Sequence, residues 1–330
     1  MDGQALRLRV ATFNLENLGD APGEEPTLGR RIPLMRPQLL RLDAGVLCLQ
    51  EVHGQGDADS RSLSALDELL EGTPYAGFHR AHTQVEGSER PYQERNLVVL
   101  SRLPISSREQ HLNDLAPAPL YRPVTADPPE EEAKPVGWER PILRVGIDLP
   151  DGRTLHLLNL HLKSKIPTDV EGQKEDPYTW RTASGWAEGF FLSSVKRVGQ
   201  ALETRILVDE VFDGDPDALV CVCGDLNADL DEVPVLAIRG DVEGTGNGAL
   251  ADRVLVPTEN SVPESSRYTL FHRGRKEMID HLLVSRSLLR YHRATEIHNE
   301  LLHDESVAFA TDELYPESDH APVVAHFEIP

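Results

Sequence analysis

The sequence has few of the features on which secreted and membrane proteins depend. Its three cysteines, Cys48, Cys221 and Cys223, lie inside apolar runs and form neither a disulfide framework nor a zinc-ligand spacing. No stretch approaches the roughly 20 apolar residues of a spanning helix. Polar residues such as Arg7 and Asn14 interrupt the first twenty positions, so no signal peptide is predicted. We expect a cytoplasmic protein without stable membrane association and without an obligate protein partner.

Positive charge is also scarce. The chain has 33 Lys and Arg against 55 Asp and Glu, a net charge of −22 at pH 7. This balance argues against a broad electrostatic grip on nucleic acid, which needs clustered basic residues. A local basic strip would still neutralise a few phosphates. The candidates for such a strip are Lys163, Lys165, Arg181 and Arg197, with Arg95 and Arg102 as further members.

An abrupt strand end is the most informative feature that the sequence does have. The apolar run from Ala218 to Cys223 stops at Gly224 and is followed by Asp225 and Asn227. Because side chains alternate along a strand, Asp225 and Asn227 are expected on one side of the chain at a sheet edge. A carboxylate there can orient a water or take its proton, and an amide can donate to a phosphoryl oxygen. A Gly-Asp pair after a strand is also a common turn.

Five further apolar runs begin or end at polar residues suited to metal or phosphate chemistry. Each polar residue alone is explained equally well by a helix cap or a turn. Six such places in one chain favour a shared site. The five further places are Asn14, Gln50-Glu51, Asn159 to Lys165, Asp280-His281 and Ser318-Asp319-His320.

The ordered set of these motifs resembles the endonuclease/exonuclease/phosphatase superfamily. That group includes pancreatic-type deoxyribonucleases, abasic-site endonucleases, sphingomyelinases and inositol polyphosphate 5-phosphatases. The motifs span Asn14 to His320, so the resemblance covers nearly the whole chain. It implies an enzyme that hydrolyses phosphate esters, and it does not single out a substrate.

The periodicity of apolar residues predicts alternating strands and helices, which indicates an α/β or α+β protein. The resemblance implies more: a four-layer α/β/β/α sandwich of two packed mixed β-sheets flanked by helices. The predicted strands are 6–14, 45–51, 96–101, 143–149, 154–162, 218–225, 278–284 and 321–328, and the predicted helices are 31–42, 61–71 and 188–213.

We expect a single catalytic domain over residues 1–330, because motifs of one site occur near both ends of the chain. Residues 113–139, with six prolines, and residues 164–187 have the composition of loop insertions. The second insertion directly follows the strand that contains His161. It is therefore either a substrate-contacting loop or a disordered insertion.

The resemblance implies a divalent cation, Mg²⁺ or Mn²⁺, held by oxygen ligands. Glu51 is the expected first ligand, with Asn14 and Asp319 as further ligands. Such a cation offsets the negative charge that protects a phosphodiester from attack.

The resemblance also implies catalytic roles. Asp225 would orient or deprotonate the attacking water, and Asn227 and His161 would hydrogen-bond the phosphoryl oxygens. His320 would act as an acid–base group or phosphate ligand, with Asp280 fixing its tautomer and orientation. The neighbouring His281 points to the opposite face of its strand and is expected to be structural.

Substrate contacts are expected from Lys163, Asn96 and Arg181. One departure concerns the region of Asn96, because pancreatic-type deoxyribonucleases have a Glu there that pairs with the first catalytic His. Here Arg95 or Asn96 stands at that place, with Glu94 adjacent. The sequence therefore leaves the partner of His161 open.

Three functions are compatible with these motifs. The first is a metal-dependent phosphodiesterase that cleaves nucleic acid, favoured by the similarity of residues 159–165 to the corresponding strand of bacterial nucleases in this superfamily. The second is hydrolysis of a small phosphoester, such as an inositol phosphate or a sphingomyelin headgroup. The third is a non-catalytic scaffold, which is disfavoured because all six motifs are intact.

Overall fold

The computed structural model describes residues 5–311 and 314–330. Its strands are, in chain order, β1 Leu6–Leu18, β2 Val46–Val52, β3 His79–His82, β4 Asn96–Ser101, β5 Ile105–His111, β6 Leu120–Tyr121, β7 Lys134–Pro135, β8 Ile142–Asp148, β9 Thr154–His161, β10 Leu219–Asp225, β11 Val256–Pro257, β12 Leu270–His272, β13 Arg275–Glu277, β14 Asp280–Val284, β15 His292–Ile297 and β16 Val323–Ile329. The α-helices are α1 Leu28–Leu42, α2 Ser64–Leu70, α3 Ala183–Gly214, α4 Val233–Arg239, α5 Val242–Thr245, α6 Arg286–Leu289 and α7 Ser306–Thr311.

Two six-stranded sheets form the centre of the structure. The first has the strand order β15-β16-β1-β2-β4-β3 and the second has the order β11-β14-β10-β9-β8-β5. Each sheet is mixed: β1 pairs in parallel with β2, and β9 with β10, whereas the other pairings are antiparallel. Two short pairs, β6–β7 and β12–β13, lie outside these sheets.

Buried apolar side chains form three layers that hold the sheets and helices together. One layer lies between the two sheets and includes Cys48, Cys221 and Cys223, which are free and buried as predicted. A second packs α1 and α2 on the first sheet, and a third packs α3 and α4 on the second sheet. The expected α/β/β/α sandwich is therefore confirmed.

Every strand and helix predicted from periodicity has a counterpart in the structure, with shifted ends. The largest shift is at α3, which begins at Ala183 and not at residue 188. Thr182 is its N-cap and accepts a hydrogen bond from the backbone N–H of Gly185 at 2.9 Å. The second insertion therefore ends at Thr182, five residues earlier than predicted.

Among the described residues, no helix is both long enough and apolar enough to cross a membrane.

Candidate active site

Strand register places three of the predicted residues side by side. Asp225 stands opposite His161 in the parallel β9–β10 pair and opposite Asp280 in the antiparallel β10–β14 pair. Gly224 has φ +131°, and a Cβ on it would lie 2.0 Å from the carbonyl oxygen of Leu160. Only glycine fits at this point of the ladder, which explains the Gly-Asp strand end.

The first sheet contributes its residues from the facing side. Asn14 on β1 pairs with Gln50 on β2, and Asn14 Nδ2 donates a 3.0 Å hydrogen bond across the sandwich to Asp225 Oδ2. The next residue, Glu51, has φ +57°, and its Oε1 lies 3.4 Å from His161 Nε2. The site is therefore built from the strand ends of both sheets.

Asp225 is buried and accepts several hydrogen bonds. Its Oδ1 accepts the backbone N–H of Asn227 at 2.9 Å, and its Oδ2 accepts Asn227 Nδ2 at 3.0 Å. His161 Nε2 lies 3.3 Å from the same Oδ2. Burial disfavours the charged form, but hydrogen bonds from His161 and Asn227 hold the pKa of Asp225 below its ordinary value. Asp225 is therefore an ionised carboxylate at neutral pH.

The sequence left the partner of His161 open, and the structure places the carboxylates of Glu51 and Asp225 beside its Nε2. Burial and the charge of Arg140 lower the pKa of His161, so the neutral imidazole is favoured. Its Nε2 faces two carboxylates, those of Glu51 and Asp225, so the single proton belongs on Nε2. Its Nδ1 is buried and has no hydrogen-bond partner among the described residues.

The predicted contact between Asp280 and His320 is present. His320 Nδ1 lies 2.8 Å from Asp280 Oδ2, and Asp280 is fully buried. Burial opposes protonation of the ring, but the charges of Asp280 and Asp319 raise the pKa of His320 well above its ordinary value. His320 is therefore a cation at neutral pH that Asp280 orients.

A group of carboxylates lies beside these residues and suits a divalent cation. The backbone N–H of Asp319 donates to Glu16 Oε2 at 3.0 Å, and Asp319 Oδ1 is buried without a hydrogen-bond partner among the described residues, 3.8 Å from His320 Nε2. Burial, with the nearby charge of Glu16, raises the pKa of Asp319 to about 6. Glu51 and Asn14 line the same cleft. Crowded, half-buried carboxylates, one of them with an oxygen that accepts no hydrogen bond, fit the oxygen ligands that Mg²⁺ or Mn²⁺ takes.

Asp225, Asp280 and His320 form a second group, in which His320 would have to lose its proton to act as a metal ligand. One ligand atom from each of these residues lies within 4.8 Å of the others. Asp225 belongs to this second group and is linked to the first by the hydrogen bond that it accepts from Asn14.

Glu16 is a site residue that the sequence reasoning missed. It lies two positions after Asn14 in the first motif, and burial raises the pKa of its carboxyl. Alternation along β1 places Glu16 on the side of Asn14 and was the signal that could have found it. Arg140, which donates from Nη1 to the Leu162 carbonyl at 2.9 Å, was also missed. It lies directly after the 113–139 insertion and belongs to no motif.

The three predicted substrate contacts have different positions. Lys163 lines the cleft, donates to Ser164 Oγ at 3.0 Å, and has its pKa lowered to about 8 by burial and by the charge of Arg140. Asn96 is fully buried, and its Nδ2 donates to the carbonyls of Val52 and Tyr92, so the predicted substrate contact is corrected to a structural role. Arg181 is exposed and lies outside the residues that line the cleft.

The predicted basic strip is also corrected. Lys165 pairs with Glu232 at 2.8 Å and with Glu277 at 3.5 Å. Arg197 is buried and donates to the carbonyls of Lys163 and Ser164, so it holds the loop. Arg102 donates its backbone N–H to Gly45 beside the start of β2, away from the strand ends that form the site. The basic residues that do line the cleft are Arg95, Arg140 and Lys163.

His281 has the structural position expected for it. Its Nδ1 lies 2.7 Å from Glu259 Oε1, and its Nε2 lies 2.9 Å from the Ala228 carbonyl. Both residues of this ion pair are fully buried.

A sandwich with this set of carboxylates, amides and histidines at its strand ends defines a phosphoesterase site. The model of the Endonuclease/Exonuclease/phosphatase family matches residues 11–320, and the chain therefore belongs to that family. Members of the family are hydrolases that act on phosphate esters and depend on divalent metal ions. No curated protein matches the sequence.

Solved structures show the same fold at low sequence identity. Truncated TDP2 from Caenorhabditis elegans has a TM-score of 0.58 and 16% identity, with 98% of each chain covered. A mannosyl-6-phosphatase from Bacteroides thetaiotaomicron has a TM-score of 0.55 and 16% identity, covering 96% of this chain and 98% of that one. An AP endonuclease from Archaeoglobus fulgidus has a TM-score of 0.52 and 13% identity, covering 98% and 100%. These likenesses support the fold and leave the substrate open.

Proposed function

We propose that this protein is a divalent-metal-dependent phosphodiesterase that cleaves nucleic acid. The observation that carries the proposal is the arrangement at one cleft of an ionised Asp225, the oriented Asp280–His320 pair and an adjacent group of carboxylates. These are a base, a cationic hydrogen-bond donor and a cation site, which hydrolysis of a phosphate ester needs together.

Asp225 would hold the attacking water and take its proton. Its lowered pKa keeps it ionised, and the hydrogen bonds from Asn14 and Asn227 fix its orientation. Asn227 and neutral His161, whose side-chain N–H groups face Asp225, would share these donors with the phosphoryl oxygens as negative charge builds on them.

His320 would donate a hydrogen bond or a proton on the other side of the phosphate. Its raised pKa keeps it protonated at neutral pH, and Asp280 accepts its Nδ1 proton, which leaves Nε2–H to face the cleft.

Glu51, Asn14 and Asp319 would hold Mg²⁺ or Mn²⁺, with Glu16 next to Asp319. When bound, the cation neutralises phosphate charge and stabilises the charge that develops during displacement. The mutual repulsion of Glu16 and Asp319 in a buried setting is relieved by such an ion.

Nucleic acid as the substrate is supported by the AP endonuclease fold likeness and by Lys163, whose amine lies in the cleft. The likeness is an analogy of fold, so it supports the proposal without deciding it. Hydrolysis of a small phosphoester is the second candidate, favoured by the fold likeness to a mannosyl-6-phosphatase. We further propose one catalytic domain over residues 1–330, a cytoplasmic location and no obligate protein partner.

The test is product release from supercoiled plasmid, single-stranded DNA, RNA, bis-p-nitrophenyl phosphate, inositol phosphates and mannose 6-phosphate with Mg²⁺, Mn²⁺ or EDTA. We expect cleavage of polynucleotide with either metal, none in EDTA, and weaker metal binding by Glu51→Gln. Brisk hydrolysis of a sugar or inositol phosphate without cleavage of any polynucleotide would transfer the assignment to the second candidate. Full turnover in EDTA after exhaustive dialysis would contradict the metal mechanism.

A further inference from the structure

Two exposed apolar side chains border the same cleft as the catalytic residues. Ile166 is 71% exposed and Tyr178 is 86% exposed, and both line the cleft with His161 and Asp225. We call Ile166 and Tyr178 the shelf. Single exposed apolar residues are common on protein surfaces, so the shelf has meaning only if the backbone holds it in place.

The backbone under Ile166 is fixed to α3. The Ile166 carbonyl accepts Ser193 Oγ at 2.7 Å and Lys163 Nζ at 3.0 Å. The following turn is tied to the same helix, because the Thr168 N–H donates to the Gly189 carbonyl at 3.0 Å. Ile166 therefore projects from an anchored segment.

The backbone that presents Tyr178 is held by hydrogen bonds within its own turn, residues 173–181. Asp176 Oδ1 accepts the N–H groups of Tyr178 and Thr179 at 2.8 and 2.9 Å. The Arg181 N–H donates to the Gln173 carbonyl at 2.8 Å. None of these bonds uses the phenol ring of Tyr178, so the ring can be replaced without breaking the turn.

A further planar surface borders the cleft from another segment. The rings of His303 and Tyr315 lie with their centroids 3.5 Å apart at an interplanar angle of 32°, and both residues line the cleft. Planar and apolar groups thus border the cleft on two separate segments.

The charge of the cleft is unsuited to two rows of phosphates. Among the described lining residues, Arg95, Arg140, Lys163 and protonated His320 share the cleft with seven carboxylates. The carboxylates are Glu16, Glu25, Glu51, Glu139, Asp225, Glu305 and Asp319. Some of these are paired with cations outside the lining, as Glu139 is with Lys196, so the cleft is close to neutral or acidic and is not basic. Proteins that grip duplex DNA through its backbone neutralise several phosphates with clustered Lys and Arg.

We infer that the cleft binds nucleic acid as a single strand, with one phosphate at the catalytic residues and an adjacent base stacked on the shelf. The inference rests on the proposed function and adds the form of its substrate. A single strand offers unpaired bases whose faces stack on aromatic side chains, whereas a duplex hides those faces and presents two phosphate rows. The shelf favours the single strand, and the few cleft cations count against the two phosphate rows of a duplex.

The test compares cleavage of one oligodeoxynucleotide as a single strand and as a blunt duplex, with Mg²⁺, by the full-length protein. We expect the single strand to be cut at least about tenfold faster.

Tyr178→Ala should raise KM for the single strand about tenfold, because stacking on an aromatic ring contributes that much per base. Tyr178→Phe keeps the ring and should behave like the wild type. Trp186→Ala removes another exposed aromatic ring that does not line the cleft, and should change nothing.

A matched substrate separates stacking from other effects. An oligonucleotide of the same length with base-free positions cannot stack, so Tyr178→Ala should lower its cleavage little. Equal losses on both substrates, or cleavage of the duplex as fast as the single strand, would overturn the inference and leave the proposed function standing. Cleavage of no polynucleotide in either form, alongside hydrolysis of a small phosphoester, would overturn both.

Discussion

Buried carboxylates serve two different purposes in two regions of this molecule. On α3, the carboxylate of Glu203 accepts hydrogen bonds from the backbone N–H groups of residues 113–115 and from Trp138 Nε1 at 2.7 Å. In the catalytic cleft, the Asp319 side chain is only partly buried, yet its Oδ1 has no hydrogen-bond partner among the described residues and lies 3.8 Å from His320 Nε2. A satisfied buried acid supports structure, and an unsatisfied one marks a place where a ligand belongs.

A second carboxylate on α3, that of Glu188, also accepts hydrogen bonds from the 113–139 insertion. Glu188 on α3 accepts hydrogen bonds from Tyr121 Oη, from the N–H groups of Val124 and Thr125, and from Thr125 Oγ1. Glu188 and Glu203 therefore hold the proline-rich segment 113–139 against the helix. The cleft carboxylates, by contrast, are held by strand ends and repel one another, so their free energy is lowered by a cation.

The largest expected effect is a loss of turnover caused by substitutions in the catalytic cleft. Asp280→Asn and His320→Ala should each lower turnover by about a thousandfold, because together they form one oriented cation. The double variant should be little worse than the more damaging single change. Turnover of the three variants on bis-p-nitrophenyl phosphate checks this, and fully multiplicative losses would show that the two residues do not act as a pair.

The second-largest expected effect is a loss of stability when Glu203, a structural carboxylate on α3, is replaced. Glu203→Ala should lower the free energy of unfolding by about 3 kcal/mol, because three backbone N–H groups and the buried Trp138 Nε1 lose a charged acceptor. Urea unfolding measures the change, and Glu210→Ala, an exposed acid on the same helix, is the matched control. Turnover of the folded Glu203→Ala protein on a small diester should stay within a few-fold of the wild type. A loss of turnover as large as that of His320→Ala would show that Glu203 is needed for catalysis and that the two regions do not differ in purpose.

A smaller effect on substrate binding is expected from Lys163, in contrast to Arg181. Lys163→Ala should raise KM for a polynucleotide several-fold and reduce the slope of log affinity against log salt by about one unit, as one phosphate contact is lost. Arg181→Ala, at an exposed position outside the cleft lining, should change neither quantity. The measurement is KM over a salt series. Equal effects of the two variants would place Arg181 on the substrate path, as the sequence first indicated.

The smallest effect is a pH dependence at Glu188. Burial opposes its ionisation, but hydrogen bonds from Thr125 and Val124 outweigh this and hold the pKa of Glu188 below its ordinary value of 4.5. Since the folded pKa is depressed, the stabilisation is present above pH 4.5 and is lost as pH falls through the folded pKa. The difference in unfolding free energy between wild type and Glu188→Gln should therefore shrink below pH 4.5. A difference that is constant from neutral to acidic pH would contradict this.

The fold was predictable where burial is complete and less so at the sheet edges. Strands such as β2 and β10 are buried on both faces and appear as continuous apolar runs. The edge strands β5 and β15 were missed because most of their residues are polar and only partly covered. The first turn of α3 was missed because Ala183, Ser184 and Gly185 lack an apolar period.

The site was predictable where residues follow strand ends in a fixed order. His161, Asp225 and Asp280 became neighbours through strand register, which their motifs already indicated. The contact of Glu51 with His161 joins different sheets and needs the packing angle of the sandwich, which no local pattern contains. The prediction for Asn96 was wrong because its position beside a motif indicated a substrate contact. In the structure, its side-chain oxygen and nitrogen both form hydrogen bonds to the surrounding backbone.

The most direct test of the central claim is the single-turnover rate of Asp225→Asn on a labelled oligodeoxynucleotide at saturating Mg²⁺. Asparagine keeps the shape of the side chain and removes the charge that would hold and deprotonate water. With Glu210→Gln as the surface control, we expect the rate to fall by about a thousandfold or more in Asp225→Asn and to stay unchanged in the control. A rate for Asp225→Asn within a few-fold of the wild type would contradict the central claim.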